Sequence, residues 1–261
     1  MRILVVFLLG LTLAAQQSTA PAGGNEGDAN QKKAREVLNK MIEALGGPAY
    51  LNLKDSQTEG RAGRYYHGSS SGSGIYFSFW QWPDKERAEL TKDRDVVVIH
   101  NGEQGFETTF RGTAPEKPET LRTYLLRRNH SLATVLRQWL SEPGTALFYE
   151  GLTITENHQC DRVSLINGKN DAVTILISTD RHLPVKKMFT VRDPVSKEKD
   201  EEAEVYDNWK NVQGINTPFD VVTSHNGEMV SARFLDSIKY NNDLAASLFE
   251  PSPIKFNRLK K

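Results

Sequence analysis

The segment that most constrains this chain is Pro118 to Leu140, an amphipathic stretch set between two long runs of strand and turn signals. Leu121, Tyr124, Leu125, Leu132, Val135, Leu136 and Trp139 recur at helical spacing on one stripe, while Arg122, Arg127, Arg137 and Gln138 fall elsewhere. Pro118 suits a first helical turn, and Pro143 with Gly144 stops the pattern. Asn129, His130 and Ser131 interrupt it, so the spacing allows one bent helix, or two short ones with Ser131 as N-cap of the second. Either way an apolar face needs cover, and a sheet is what the flanking sequence offers.

A second helical stripe, Ala34, Val37, Leu38, Met41, Ile42 and Leu45, is closed by Gly46, Gly47 and Pro48. Strand signals then run from about Lys54 to Phe110 and resume from Thr145 to Tyr240. Gly68 to Gly74 (GSSSGSG) reads as a mobile hairpin loop between Thr58–Tyr66 and Ile75–Trp82, and as a candidate lid. Asn101–Gly102, Asn167–Gly168 and Asn226–Gly227 read as two-residue hairpin turns with positive φ at both positions. About eleven strands result, and a sheet of that size must twist, curl or split. The expected fold is α+β: a curved, incomplete antiparallel β-barrel with helices plugging its concave face. Two sandwiched sheets would leave the central helix without a role.

The first residues, MRILVVFLLGLTLAA, carry one charge and then an apolar run too short to span ~30 Å of hydrocarbon, the pattern of a cleavable secretory signal. The expected organisation is a signal peptide over 1–20, a flexible polar leader over 21–30, one domain over 31–254 and a basic tail over 255–261. Lys plus Arg and Asp plus Glu are both 33, which gives no electrostatic reason to invoke nucleic acid. Cys160 is alone, so no intrachain disulfide forms, and it reads as a small apolar residue within a strand. The exported chain is expected to be a soluble monomer.

No pattern of catalysis is present. The six histidines (67, 100, 130, 158, 182 and 225) make no metal-ligand spacing and read as surface residues at strand ends and turns. There is no GxSxG elbow leading from a strand into a helix, no HExxH and no phosphate loop, and the run Asp200, Glu201, Glu202 and Glu204 reads as a solvated hairpin end rather than a calcium site. No catalytic residue, metal or cofactor is expected. The unusual strand is IYFSFWQW, where Tyr76, Phe77, Phe79, Trp80 and Trp82 place large rings on both faces. Either it is a central strand covered on both sides, or one face lines a cavity between sheet and helix where an apolar ligand sits. On the second reading the lining is Leu125, Leu132, Leu136 and Trp139 from the helix, with Tyr76, Phe77, Phe79 and Trp80 from the strand.

The order of these elements resembles the LolA-like family of periplasmic lipoprotein and lipid carriers, in particular its outer-membrane lipoprotein-sorting-like group. The resemblance rests on Trp82, Pro83, Asp84, Lys85 and Arg87, then Asn101 and Gly102, then Asp180, Leu183 and Pro184. It continues through Tyr206, Trp209, Val212, Gly214, Ile215 and Pro218, and closes with Asn242, Leu244, Phe249 and Pro251. It implies a periplasmic carrier or binder of a lipid, lipoprotein or other hydrophobic ligand whose partners are acyl chains and envelope membrane proteins. The same architecture implies, as the alternative, a protein-binding envelope sensor or scaffold with no small ligand.

Overall fold

The structure, a computed structural model, describes residues 23–192 and 197–251; the expected signal peptide and basic tail lie outside them. Helix α1 (Gly23–Leu45) begins inside the segment read as a flexible leader. Asn30 gives the extension a reason. Its side-chain amide donates to the Tyr149 carbonyl at 2.8 Å and accepts from the Tyr149 N–H at 2.9 Å, taking the place of a neighbouring strand. The predicted stripe of α1 is buried throughout, and each of its side chains larger than Ala34 contributes about 1.5–3 kcal/mol. Gly47 (φ 55°) ends the helix by donating to the Ile42 carbonyl, and the four-residue α2 (Pro48–Leu51) follows.

Thirteen strands form one antiparallel sheet. The first six are β1 (Asp55–Tyr66), β2 (Ser69–Gln81), β3 (Lys85–Leu90), β4 (Val96–Asn101), β5 (Gln104–Thr109) and β6 (Gly112–Pro115). The rest are β7 (Ala146–Thr155), β8 (His158–Ile166), β9 (Ala172–Ser178), β10 (Pro184–Arg192), β11 (Lys199–Val212), β12 (Ile215–His225) and β13 (Glu228–Tyr240). Their spatial order is β6-β5-β4-β3-β2-β1-β13-β12-β11-β10-β9-β8-β7. The expectation of an eleven-stranded curved barrel plugged on its concave face is therefore corrected: the sheet is open, and β6 and β7 are unpaired edges. The pairing of β1 with β13 is what decides this. It joins two meanders at the middle, so the chain runs out to one edge, crosses, and returns from the other.

The crossing is the central amphipathic segment, and it forms two helices, α3 (Pro118–Asn129) and α4 (Leu132–Arg137), followed by a 3-10 turn at Trp139–Ser141. Ser131 is the N-cap of α4, its hydroxyl accepting from the Thr134 N–H at 3.2 Å. The main core lies between α1, α4 and the β7–β10 half of the sheet, and holds Leu38, Met41, Leu136, Trp139, Leu165 and Ile175. Among the described residues no helix is long and apolar enough to cross a membrane.

Several turns differ from expectation. Asn226–Gly227 has positive φ at both positions, as read. At the first hairpin the central pair is Gly102–Glu103, with positive φ at Gly102 alone, because Asn101 still pairs with Gln104. The Asn167 turn is a longer loop held by its own side chain, which accepts from the Lys169 and Asp171 N–H groups. Gly68–Gly74 is not a loop. His67 and Gly68, both at positive φ, form the tight turn, and Ser69 to Gly74 pair with β1 as exposed strand, which removes the lid reading.

Candidate functional site

Residues paired directly across strands share a face, so the registers sort the sheet into two surfaces. Ser56, Trp80, Glu86 and His100 fall on the side bearing α3, where the His100 ring stacks on Tyr124 with centroids 3.4 Å apart. Phe77 and Phe79 fall on the other side. There the C-terminal 3-10 turn (Ala246–Phe249) packs against β3 and β4, with Phe249 fully buried and Arg87 donating to the Leu248 carbonyl at 3.2 Å, and the Arg94 guanidinium lies over the Phe77 ring at 3.6 Å. The aromatic strand is covered on both faces, and Tyr76 and Trp80 are the rings that point toward the helices.

Between α3–α4 and the middle strands lies a cavity of about 530 Å³. One end is apolar: Leu53, Trp80, Ile238 and Tyr240 belong to a small cluster separate from the main core. The other end is charged, with Arg127, Arg128 and Arg233 set against Glu86 and Glu204. Two short hydroxyl side chains, Ser78 and Ser231, leave room on the sheet.

The charged end is built from strand alternation. Lys187 on β10 and Glu204 on β11 are direct partners, so both reach the helix-bearing face, where Lys187 Nζ lies 2.8 Å from Glu204 Oε2. The Tyr206 hydroxyl donates to the same oxygen at 2.7 Å, and Arg233 stands 3.9 Å from the other. Burial alone would push the Glu204 carboxyl up, but the charges of Lys187 and Arg233 override it and hold the group down at about 2. Burial, then Glu204, drives the Tyr206 phenol upward, so it stays a donor. Lys187 is only 1 % exposed, which makes the pair a fixed floor rather than a surface bridge.

Helix α3 is the roof, and it has no fully buried residue. Polar clasps hold it. Arg127 forks onto Glu202 of β11, which also accepts from His225 Nδ1 at 3.0 Å. Arg128 Nη1 donates to the Gly102 and Asp84 carbonyls at 2.6 and 3.2 Å. His100 Nε2 donates to Glu116 at 2.8 Å, and both side chains are buried. The Tyr124 phenol is pushed up by burial first and by Glu86 second.

The eight predicted lining residues are not brought together. Trp80 lines the cavity, whereas Tyr76, within electrostatic reach of Arg233, lines a separate pocket with Ala62, Arg64 and Leu90. Leu136 and Trp139 are sealed in the main core with Leu132 packed against them, Leu125 is half-buried on α3, and Phe77 and Phe79 face away. Two histidines read as surface residues are buried, His100 in the roof contact and His130 stacked on Phe189 at 4.2 Å. The acidic run read as solvated sends Glu202 and Glu204 inward, because alternate residues of β11 face the helices. Cys160 is buried in β8, where burial raises its thiol to about 11. Among the described residues no group of His, Cys, Asp and Glu is placed to hold a metal ion.

No protein-family model matches the chain, and no curated protein does. Solved structures match its fold. A DUF1329 family protein from Desulfovibrio piger superposes with a TM-score of 0.58 at 10 % identity, covering 85 % of this chain and 97 % of its own. A putative outer membrane lipoprotein-sorting protein domain from Vibrio parahaemolyticus gives 0.55 at 10 %, over 84 % and 97 %. A LolA superfamily protein from Nitrosomonas europaea gives 0.52 at 14 %, over 83 % and 97 %. At these identities the likeness establishes the fold and nothing finer.

Proposed function

We propose that the protein is a non-catalytic, envelope-located carrier or binder of a lipid, lipoprotein or other hydrophobic ligand, held between the sheet and helices α3–α4. The observation that carries this reading is the cavity of about 530 Å³ beneath a helix with no fully buried residue. Its volume lies within the ~300–1,000 Å³ of small-molecule pockets. The apolar end at Leu53, Trp80 and Ile238 takes the chain, and the charged end at Arg233 takes the polar part. An acyl chain gains ~0.8 kcal/mol for each CH₂ removed from water, so it needs an escort between membranes. A carrier must also release, and a roof held by Arg127, Arg128 and His100 opens by giving up the contact of Leu126 with the main core while α1 and α4 stay packed. The fold shared with a putative lipoprotein-sorting domain supports the same reading.

Trp80 stands in this proposal as a ligand contact, while Leu132, Leu136 and Trp139 anchor α4. Titration with a fluorescent fatty acid tests it. Saturable binding at one per chain is expected, and Ser78→Trp, which fills the cavity floor, should weaken it by about tenfold or more with circular dichroism unchanged. Absence of saturable binding contradicts the reading.

A specific observation favours the alternative of a protein-binding sensor or scaffold: the edge strand β7 presents Leu152 and Ile154 exposed beside unpaired backbone.

A further inference from the structure

A second pocket, of about 500 Å³, lies among α1, α4 and Trp82, just past the end of β2. Arg35 and Arg137 both line it, together with Asn39 and Ser141, and no Asp or Glu does. Among the described residues neither guanidinium forms an ion pair, whereas Arg61, Arg87, Arg127 and Arg233 each have a carboxylate partner. Arg35 Nη1 donates to the Leu140 carbonyl at 3.1 Å, which fixes the side chain against the 3-10 turn. The Arg137 guanidinium lies over Trp82, its Cζ 3.6 Å from the ring centroid, and its buried Nη1 has no hydrogen-bond partner.

Two like charges converging on one pocket without a counter-ion repel each other, and the aromatic face under Arg137 offsets only part of its lost hydration. Burial draws the Arg137 guanidinium below its ordinary value, in keeping with a charge left uncompensated. An oxyanion placed between the two forks relieves both penalties at once, since planar guanidinium groups match carboxylate and phosphate geometry. Leu51 and Leu140 on the same wall give an alkyl substituent somewhere to lie.

We propose that Arg35 and Arg137 form an oxyanion-binding site, for a phosphate or carboxylate carried by a lipid headgroup or free in solution. The site shares no lining residue with the central cavity, Trp82 lining the one and Trp80 the other with their rings 6.0 Å apart, and it does not depend on what that cavity holds.

Calorimetric titration of the mature chain with inorganic phosphate, decyl phosphate and decanol tests this. Saturable binding of at least one phosphate is expected, weakened by about tenfold in Arg35→Met and again in Arg137→Met, while decanol responds to neither change. Equal affinity for the two phosphates identifies the free ion as sufficient, and a preference for decyl phosphate identifies a headgroup. Should Arg137→Met fail to fold by circular dichroism, Arg35→Met, on the half-buried side of α1, carries the test alone. The proposal is overturned if neither phosphate binds saturably, or if folded variants bind as tightly as the wild type.

Discussion

Arg127 of α3 meets Glu202 of β11 as a fork, with Nε and Nη2 at 3.1 and 2.9 Å from one carboxylate oxygen and Nη2 at 3.2 Å from the other. The pair joins the roof of the cavity to its floor. Arg127→Met should therefore raise hydrogen exchange of the α3 amides by about tenfold while global stability falls by only ~1 kcal/mol, because the arginine is partly exposed. Unchanged exchange in α3 would show that the helix is held by other means.

The Lys187–Glu204 pair gives an acid limb to stability. The Glu204 carboxyl is lowered in the fold from its ordinary 4.5 to about 2, so its contribution is complete above about pH 4.5 and is lost as pH falls toward 2. Glu204→Gln should flatten the stability profile across that window in urea titrations. Lys187→Met leaves a carboxylate without its main partner and should cost about 3–5 kcal/mol at pH 7, most of it recovered in the double variant.

Trp139 is 1 % exposed, packed in the main core and set edge-on against His130 at 5.4 Å. Trp139→Ala should destabilise the fold by about 3–5 kcal/mol. Loss of ligand in that variant with full stability retained would return Trp139 to the list of direct contacts.

Gly60 sits where the β1–β13 register shifts, and a Cβ there would meet the Phe234 carbonyl oxygen. Since this pairing joins the two meanders, Gly60→Ala should cost about 1–3 kcal/mol and broaden denaturant unfolding. An unaltered midpoint would contradict the packing described here.

What was legible in the sequence was local. The α1 stripe, the Ser131 cap and the Asn226–Gly227 turn are each specified within a few residues, and each is where the spacing placed it. The joining of the two meanders into one open sheet was not legible, because it rests on β1 pairing with β13 across most of the chain, and periodicity says nothing of partners. The eight predicted lining residues fall apart for a related reason. An apolar stripe marks what is packed, so Leu136 and Trp139 went to the core, while the cavity took residues that look solvated in sequence. Glu204 reads as part of an acidic run until Lys187, seventeen residues earlier on β10, is seen as its partner. Alternation in β11 was the available signal: Ala203 and Val205 point one way, Glu202, Glu204 and Tyr206 the other.

The most direct test of the account is native mass spectrometry of the protein, purified from an envelope extract without detergent, followed by solvent extraction of anything bound. A lipid or acylated molecule at close to one per chain, lost in Ser78→Trp, is the predicted result. A bare mass that does not change on incubation with lipids would contradict the carrier reading and leave the exposed β7 edge as the surface to pursue.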